Sequence, residues 1–171
     1  MTGSIRQFHQ REMELYQKGN WKTQLDYKVW FTEHSEEFTE VDLKLSEKIS
    51  KQVQAEVKEC YANTWKASWN REYKYFEGFV WSNDIPIPLE HSWLVSEDNK
   101  VIDPTLIIDV KTAKKQLTKK YKGYNWTPSE RKVGDEYVGV HIPTDKLNKF
   151  VLENKQTGGF LIQFYIQEKE K

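Results

Sequence analysis

The stretch HSWLVSEDNKVIDPT, residues 91–105, predicts a β-hairpin that carries two titratable side chains in apolar runs. The segments HSWLV and KVIDPT contain the β-branched and aromatic residues typical of strands, and the polar residues SEDN between them indicate a turn. His91 begins the first strand and Asp103 lies in the second. A carboxylate within an apolar run is costly unless another group pairs with it. We therefore expect His91 and Asp103 to interact.

The length of the hairpin loop decides whether that interaction can form. Facing residues of an antiparallel hairpin have a constant index sum, and His91 and Asp103 share a face only when the sum is even. A two-residue turn at Asp98-Asn99 gives an index sum of 197 and places His91 and Asp103 on opposite faces. A loop of three residues, 97–99, or of five, 96–100, gives 196 and makes Asp103 the diagonal neighbour of His91 on one face. A His91–Asp103 interaction therefore predicts a loop of odd length.

Cys60 is the only cysteine, and two interpretations of it are open. A lone cysteine is most often a small buried apolar residue. A catalytic cysteine needs a base and a group that orients the base, which His91 and Asp103 would supply. Cys60 follows a predicted amphipathic helix, residues 41–57; a break near Lys58 would place Cys60 at a helix N-terminus, where thiolates are favoured, whereas a continuous helix would favour the structural interpretation.

The remaining pattern predicts an α+β fold in which N-terminal helices pack on a mainly antiparallel sheet. Helices are predicted over residues 3–17, 41–57 and 144–159, and strands over residues 73–81, 91–95, 100–105, 137–142 and 159–167. Residues 32–42 are expected to form a loop, and His9 is expected on the surface of the first helix. We expect one domain, 1–171, with its core in residues 41–108 and a C-terminal helix and strand, 137–168, completing the fold.

Composition excludes several classes of protein. The 26 basic and 26 acidic residues cancel, so no overall field attracts nucleic acid or an anionic membrane. Six lysines between residues 111 and 122, followed by Tyr124 and Trp126, could follow a phosphate backbone, but lysines more often cover a solvated surface, and we do not expect nucleic acid as a partner. The spacing of one Cys and four His predicts no metal site, and no cofactor is expected. Without an apolar segment of membrane-spanning length, we expect a cytoplasmic protein.

The order of these residues resembles the transglutaminase-like branch of the papain-like cysteine hydrolase fold. The resemblance rests on Cys60, Gly78-Phe79, His91 with Trp93, and Asp103-Pro104-Thr105. The chain is also similar to a group of small bacterial and phage proteins through Cys60 with Asn63, Glu77-Gly78 and His91-Ser92-Trp93. The similarity covers residues 55–108 and implies a transglutaminase-like core, with the Cys on a helix and the His and Asp on adjacent strands. The glycine that is common in this family two residues before the Cys is Lys58 here.

The resemblance implies a cysteine-dependent hydrolase or acyltransferase acting on an amide or thioester of a protein or small molecule. Cys60 would attack the carbonyl, His91 would transfer the proton, and Asp103 would hold the imidazole. Candidates for contacts with the substrate or the oxyanion are Asn63, Trp65, Glu77 and Trp93. The alternative is a catalytically inactive binding or inhibitor protein, of bacterial or phage type, that engages a protein or small ligand through aromatic and Lys-rich loops. For a phage protein the expected location is the cytoplasm of the host cell.

Overall fold

Helices and strands alternate along the chain in the computed structural model, which describes residues 4–69, 72–83, 87–122 and 133–170. In chain order the elements are α1 (Ile5–Lys18), α2 (Lys22–His34), β1 (Glu36–Phe38), α3 (Leu43–Gln52), α4 (Cys60–Ser68), β2 (Lys74–Trp81), β3 (Leu89–Val95), β4 (Val101–Ile102), α5 (Val110–Lys120), β5 (Glu136–His141), α6 (Thr144–Asn154) and α7 (Leu161–Lys169).

The five strands form an antiparallel half-barrel sheet in the order β1-β5-β2-β3-β4. Side chains alternate between its two faces. One face carries Tyr75, Leu94 and Val138, which pack with buried residues of helices α1, α2, α3, α4, α6 and α7. The other face carries a separate aromatic cluster that includes Trp93 and Tyr137. The predicted α+β class, with helices on a mainly antiparallel sheet, is confirmed.

Helix α3 is shorter than the predicted helix 41–57, because it ends at Gln52. The residues that follow end the helix with two hydrogen bonds. The N–H of Ala55 donates to the carbonyl of Ser50, and the N–H of Gln54 donates to the carbonyl of Lys51. Gln54 adopts the left-handed conformation, with φ of 52°, that this type of helix end requires. The apolar spacing of Val53 and Val57 continues beyond the helix although the helix itself does not.

The predicted C-terminal strand, residues 159–167, is wrong, since this segment forms helix α7. The alternation of Phe160, Ile162, Phe164 and Ile166 suggested a strand, but Ile162 and Ile166 are 59% and 48% exposed. The buried set is instead Phe160, Leu161, Phe164 and Tyr165, which has helical spacing.

Other differences are local. Helix α2 was not predicted, and strand β1 lies within the segment 32–42 that was expected to be a loop. Strand β4 contains only Val101 and Ile102 of the predicted strand 100–105. The Lys-rich segment forms helix α5, while Tyr124 and Trp126 lie outside the described residues. Within the described part of the chain, no helix has the length and apolar character needed to cross a membrane.

Candidate active site

The β3–β4 hairpin has a five-residue loop, residues 96–100. Leu94 pairs with Ile102 and Val95 with Val101, so the index sum is 196. The loop closes through a hydrogen bond from the Ser96 N–H to the Lys100 carbonyl, at 3.0 Å. The predicted odd loop length is confirmed. In this register His91 and Asp103 project from the same face of the sheet.

His91 and Asp103 form a buried hydrogen-bonded pair. The Nε2 atom of His91 lies 2.8 Å from Oδ2 of Asp103, and the two residues are 4% and 0% exposed. Burial alone would lower the pKa of His91, but the charge and hydrogen bond of Asp103, together with a hydrogen bond to Cys60, raise this pKa to about 10. Burial works against ionisation of Asp103 as well, yet the His91 charge and the hydrogen bonds hold the pKa of Asp103 below its ordinary value. At neutral pH both members of the pair are therefore ionised, as imidazolium and carboxylate.

The carboxylate of Asp103 is held on both oxygens. Its Oδ1 accepts hydrogen bonds from the backbone N–H groups of Thr105 and Leu106, at 3.0 and 2.9 Å. Its Oδ2 accepts from the hydroxyl of Tyr137, at 2.9 Å, in addition to its bond with His91. Four donors thus fix the carboxylate in one orientation. Sequence reasoning did not identify Tyr137, because it lies on β5, which has no direct pairing with β3 or β4.

Trp93 supports the His91 ring from the same strand. The two rings are nearly parallel, with centroids 6.4 Å apart, and Trp93 is completely buried. Trp93 therefore cannot contact a substrate directly, which corrects its place among the candidate substrate residues. Its indole lies across Gly139 of β5, where an added Cβ would be 2.5 Å from the ring. Gly139 leaves the space in which Trp93 packs.

We expect Gly139→Ala to destabilise the protein by about 2–3 kcal/mol, because the new methyl group would overlap both the Trp93 ring and the Glu77 carbonyl, 2.6 Å away. Urea denaturation followed by Trp fluorescence measures the loss. Gly19→Ala is the matched control, since Gly19 has a right-handed helical conformation that alanine adopts readily. Equal stabilities of the two variants would show that Trp93 can repack.

Cys60 is the first residue of helix α4, and its side chain is half-buried. The helix has no side-chain cap at Glu59, so no capping side chain occupies the N–H groups of its first turn. The start of the helix is held against the edge of β3, where the hydroxyl of Thr64 donates to the carbonyl of Ser92, at 3.1 Å. The Cys60 side chain interacts with the His91 ring, and this interaction raises the pKa of His91. Because Asp103 occupies Nε2 of that ring, Nδ1 is the nitrogen that remains for Cys60.

The chain turns sharply into this helix at Lys58, which has a φ of 67°. This left-handed conformation is the one that glycine adopts most easily. A lysine therefore makes this turn, at a steric cost of about 1–2 kcal/mol. Of the two alternatives left open by the sequence, the structure has the break before Cys60, since helix α3 ends at Gln52 and helix α4 begins at Cys60.

Asn63 fixes the segment before Cys60. Its Oδ1 accepts from the N–H of Glu56, and its Nδ2 donates to the Glu56 carbonyl and to the hydroxyl of Thr105. Both amide hydrogens are used within the protein, so the side chain has no free donor for an oxyanion. The expected oxyanion contact from the Asn63 side chain is therefore replaced by a structural role.

Gln116 of helix α5 holds the same segment from the other side. It accepts a hydrogen bond from the N–H of Val57, at 2.8 Å, and donates to the carbonyl of Ala55, at 3.0 Å. Sequence reasoning did not identify Gln116, since nothing in its own surroundings indicates a contact about 60 residues away. Together, Asn63 and Gln116 satisfy the backbone groups of the loop that places Cys60.

The last two candidates for contacts with the substrate or the oxyanion, Trp65 and Glu77, lie apart from each other. Trp65 donates through Nε1 to Asn148, at 3.2 Å, and lines a groove between α4 and α6. Glu77 is buried and faces a cleft on the helix-covered side of the sheet. Its carboxylate accepts from the Tyr75 hydroxyl, at 2.7 Å, and from the N–H of Leu161, at 3.0 Å. Burial raises the pKa of Glu77 to about 7 although these hydrogen bonds lower it.

A second polar cluster, which the sequence did not reveal, lies in the wall of this cleft. His9 is buried rather than on the surface, because its Nδ1 lies 3.0 Å from both Glu12 and Lys28. The Nζ of Lys28 is 2.7 Å from the Glu12 carboxylate. Burial and then the charge of Lys28 lower the pKa of His9 to about 4, so His9 is neutral at physiological pH. The cluster thus contains one compensated ion pair.

No group of three or more His, Cys, Asp or Glu side chains in residues 4–69, 72–83, 87–122 and 133–170 is arranged to hold a metal ion. Comparison of the chain with protein-family models, with curated proteins and with solved structures finds no match in any of the three. What the site can do is therefore argued from its own geometry.

Proposed function

We propose that the protein is a cysteine-dependent hydrolase or acyltransferase of transglutaminase-like type, with Cys60, His91 and Asp103 as its catalytic triad. The observation that carries the proposal is the His91 ring, which Asp103 holds through Nε2 at 2.8 Å while the Cys60 side chain interacts with the same ring and raises its pKa. A nucleophile, a base and an orienting group in this order are the parts that cysteine acyl transfer requires.

In the first half of the reaction, the proton of the Cys60 thiol already lies on His91, whose pKa is about 10, and the thiolate sulfur attacks the carbonyl carbon of an amide or thioester. The carbonyl oxygen becomes an oxyanion, for which the N–H groups of Cys60 and Tyr61, at the uncapped start of α4, are the candidate donors. The C–N or C–S bond then breaks, and His91 returns the proton to the leaving amine or thiol.

In the second half, water or another acceptor attacks the thioester on Cys60. His91 takes the proton of the acceptor, the bond from carbon to sulfur breaks, and the Cys60 thiolate is regenerated beside the protonated His91. Asp103 remains ionised throughout and stabilises the imidazolium, as its lowered pKa and four donors favour. Tyr137 and Trp93 are positioning residues, since they contact Asp103 and His91 rather than a reacting atom.

Alkylation of the single cysteine tests this proposal. We expect iodoacetamide at about pH 6 to label native Cys60 about tenfold or more faster than the urea-denatured chain, because the His91 ring assists formation of the thiolate. His91→Ala should remove the difference. His141→Ala is the matched control, since His141 also lies on a strand, β5, which β2 separates from the strand of His91. Mass spectrometry of the labelled chain gives the rate.

A native Cys60 that reacts more slowly than the denatured chain, or that is insensitive to His91→Ala, would contradict the proposal. That result would favour the alternative of a binding protein without catalytic activity. The exposed apolar side chains of Trp69 and Leu152, in the groove between α4 and α6, are the observation that supports this alternative.

A further inference from the structure

Thr105 connects the two halves of the proposed triad, which are the helix that carries Cys60 and the buried pair of His91 with Asp103. The backbone N–H of Thr105 donates to Oδ1 of Asp103, at 3.0 Å. The Thr105 hydroxyl accepts a hydrogen bond from Nδ2 of Asn63, at 2.9 Å. Thr105 and Asn63 are 3% and 0% exposed, so the bond between their side chains is shielded from water.

The direction of the bond between Asn63 and Thr105 follows from the backbone of Glu56. The N–H of Glu56 donates to the Asn63 side chain, at 3.0 Å, so the atom that it meets must be the amide oxygen. The amide nitrogen is then the atom that faces the Glu56 carbonyl, at 2.7 Å, and the Thr105 hydroxyl. The hydroxyl oxygen therefore has to accept. A side chain without that oxygen would leave a buried N–H of Asn63 without its partner.

The same bond orients Cys60. Asn63 lies in the first turn of α4, three residues after Cys60. Residues three apart in a helix lie on the same side of it. The bond that holds Asn63 next to Thr105 therefore turns the Cys60 side of the helix toward the chain segment that contains Asp103.

Helix α4 has another attachment, to strand β3. The hydroxyl of Thr64 donates to the carbonyl of Ser92, the residue that follows His91, at 3.1 Å. The bond to Thr105 attaches the same part of the helix to the chain beyond β4. Two attachments at different points fix both the position and the tilt of the first turn, and therefore the distance between the Cys60 sulfur and the imidazole.

We propose that Thr105 is a positioning residue for the reaction of Cys60. Its hydroxyl holds the helix that carries the nucleophile, and its backbone N–H holds the carboxylate of Asp103. The amide of Asn63 and the hydroxyl of Thr105 are thus required together. This inference rests on the proposed function, but it concerns a residue that acts through Asn63 and Asp103 rather than on a reacting atom.

Removal of the hydroxyl alone tests the inference. Thr105→Val keeps the shape of the side chain and the backbone N–H, but it has no oxygen to accept from Asn63. We expect iodoacetamide at about pH 6 to label Cys60 in this variant roughly fivefold more slowly than in the native protein, because a displaced thiol gains less from the His91 ring. Thr105→Ser keeps the oxygen and should label within about twofold of the native rate. Mass spectrometry of the labelled chain gives the rates.

Two controls separate positioning from a general loss of structure. Ser68→Ala also removes a buried hydroxyl from α4, but that hydroxyl bonds the carbonyl of Trp65 in the same helix, so labelling of Cys60 should not change. In Thr105→Val the His91 ring should stay protonated at about pH 8, because the backbone N–H at position 105 still holds the carboxylate. The ¹⁵N chemical shifts of the ring nitrogens report this protonation state, and urea denaturation shows that the variants are folded.

The inference and the proposed function fail in different ways. If His91→Ala slows labelling but folded Thr105→Val labels at the native rate, the positioning role is overturned and the proposed function stands. Equally slow labelling of Thr105→Ser and Thr105→Val would also overturn it, because the oxygen would then not be the determining group. If Thr105→Val does not fold, Thr105→Ala takes its place, since a water molecule can then meet the Asn63 amide, and the same slower labelling is expected. If native Cys60 labels no faster than the denatured chain, the proposed function fails and the positioning role with it.

Discussion

Asp103→Asn is expected to abolish the enhanced reactivity of Cys60 while the chain still folds. The amide oxygen can keep the hydrogen bonds from Thr105 and Leu106, which places the NH₂ group where Oδ2 faces His91. That group donates, so the nitrogen of His91 that it meets must accept, and the ring is neutral with its one proton on Nδ1. An Nδ1 that carries a proton cannot take one from Cys60. Iodoacetamide labelling at about pH 6 should fall to the rate of His91→Ala.

The effect on stability distinguishes this change of tautomer from simple unfolding. We expect Asp103→Asn to cost about 1–3 kcal/mol of unfolding free energy, and Asp103→Ala about 3–5 kcal/mol, because alanine leaves all four buried donors without an acceptor. Urea denaturation gives both values. Asp98→Asn, on the exposed hairpin loop, is the control and should change neither stability nor labelling. Fast labelling of a folded Asp103→Asn variant would show that Asp103 does not set the tautomer of His91.

The His91–Asp103 half of the site could be predicted because its geometry is local. Side chains alternate along a strand with a period of two, so the loop length of one hairpin fixes which residues share a face. The burial cost of a carboxylate then indicates that Asp103 needs a partner. Both arguments use only residues 91–105, and the register with its sum of 196 agrees with them.

The surroundings of Cys60 could not be predicted in the same way. Helix α3 ends at a left-handed Gln54 rather than at a glycine, so the chain contains no residue that marks the end. The loop that follows depends on Gln116, about 60 residues further along the chain. A hydrogen bond between such distant residues leaves no pattern in either local sequence.

Helix α7 shows how a buried contact can outweigh local propensity. The β-branched and aromatic residues of 160–166 suit a strand, but both neighbours of β5 in the sheet are already present as β1 and β2. The segment packs on the sheet as a helix instead, and the buried carboxylate of Glu77 accepts the N–H of Leu161 at its first turn. Glu77 looks like an isolated charge in a strand until this partner is known.

Two buried groups outside the triad, His9 and Glu77, also make the stability of the protein depend on pH. The pKa of His9 is lowered to about 4, so its contribution to stability is lost as the pH falls from 6.5 toward 4. The pKa of Glu77 is raised from 4.5 to about 7, so its contribution is lost as the pH rises across that interval. The two dependences have opposite signs and partly cancel between about pH 4.5 and 6.5. Above about pH 7, the changes in stability that come from His9 and from Glu77 are both complete.

The free energy of unfolding is therefore expected to fall between about pH 7 and 9.5 because of His91. The folded protein keeps a proton on His91 up to its pKa of about 10, whereas the unfolded chain loses it near 6.5. The His91 ring binds more protons in the folded state throughout this interval, so the contribution of this ring to stability decreases as the pH rises, by roughly 3 kcal/mol in total. Urea denaturation at several pH values measures the decrease.

Two histidine variants identify the group responsible. His91→Gln should be less stable overall, but its unfolding free energy should be nearly constant between about pH 7 and 9.5, since the titrating ring is gone. His141→Gln should keep the full decrease, because burial lowers the pKa of His141 and its titration is complete below this interval. A decrease that persists in His91→Gln would mean that the imidazolium is not stabilised by Asp103 and Cys60. In that case His91 would be neutral in the folded protein at about pH 8, and the catalytic cycle would have to begin from an uncharged thiol and imidazole.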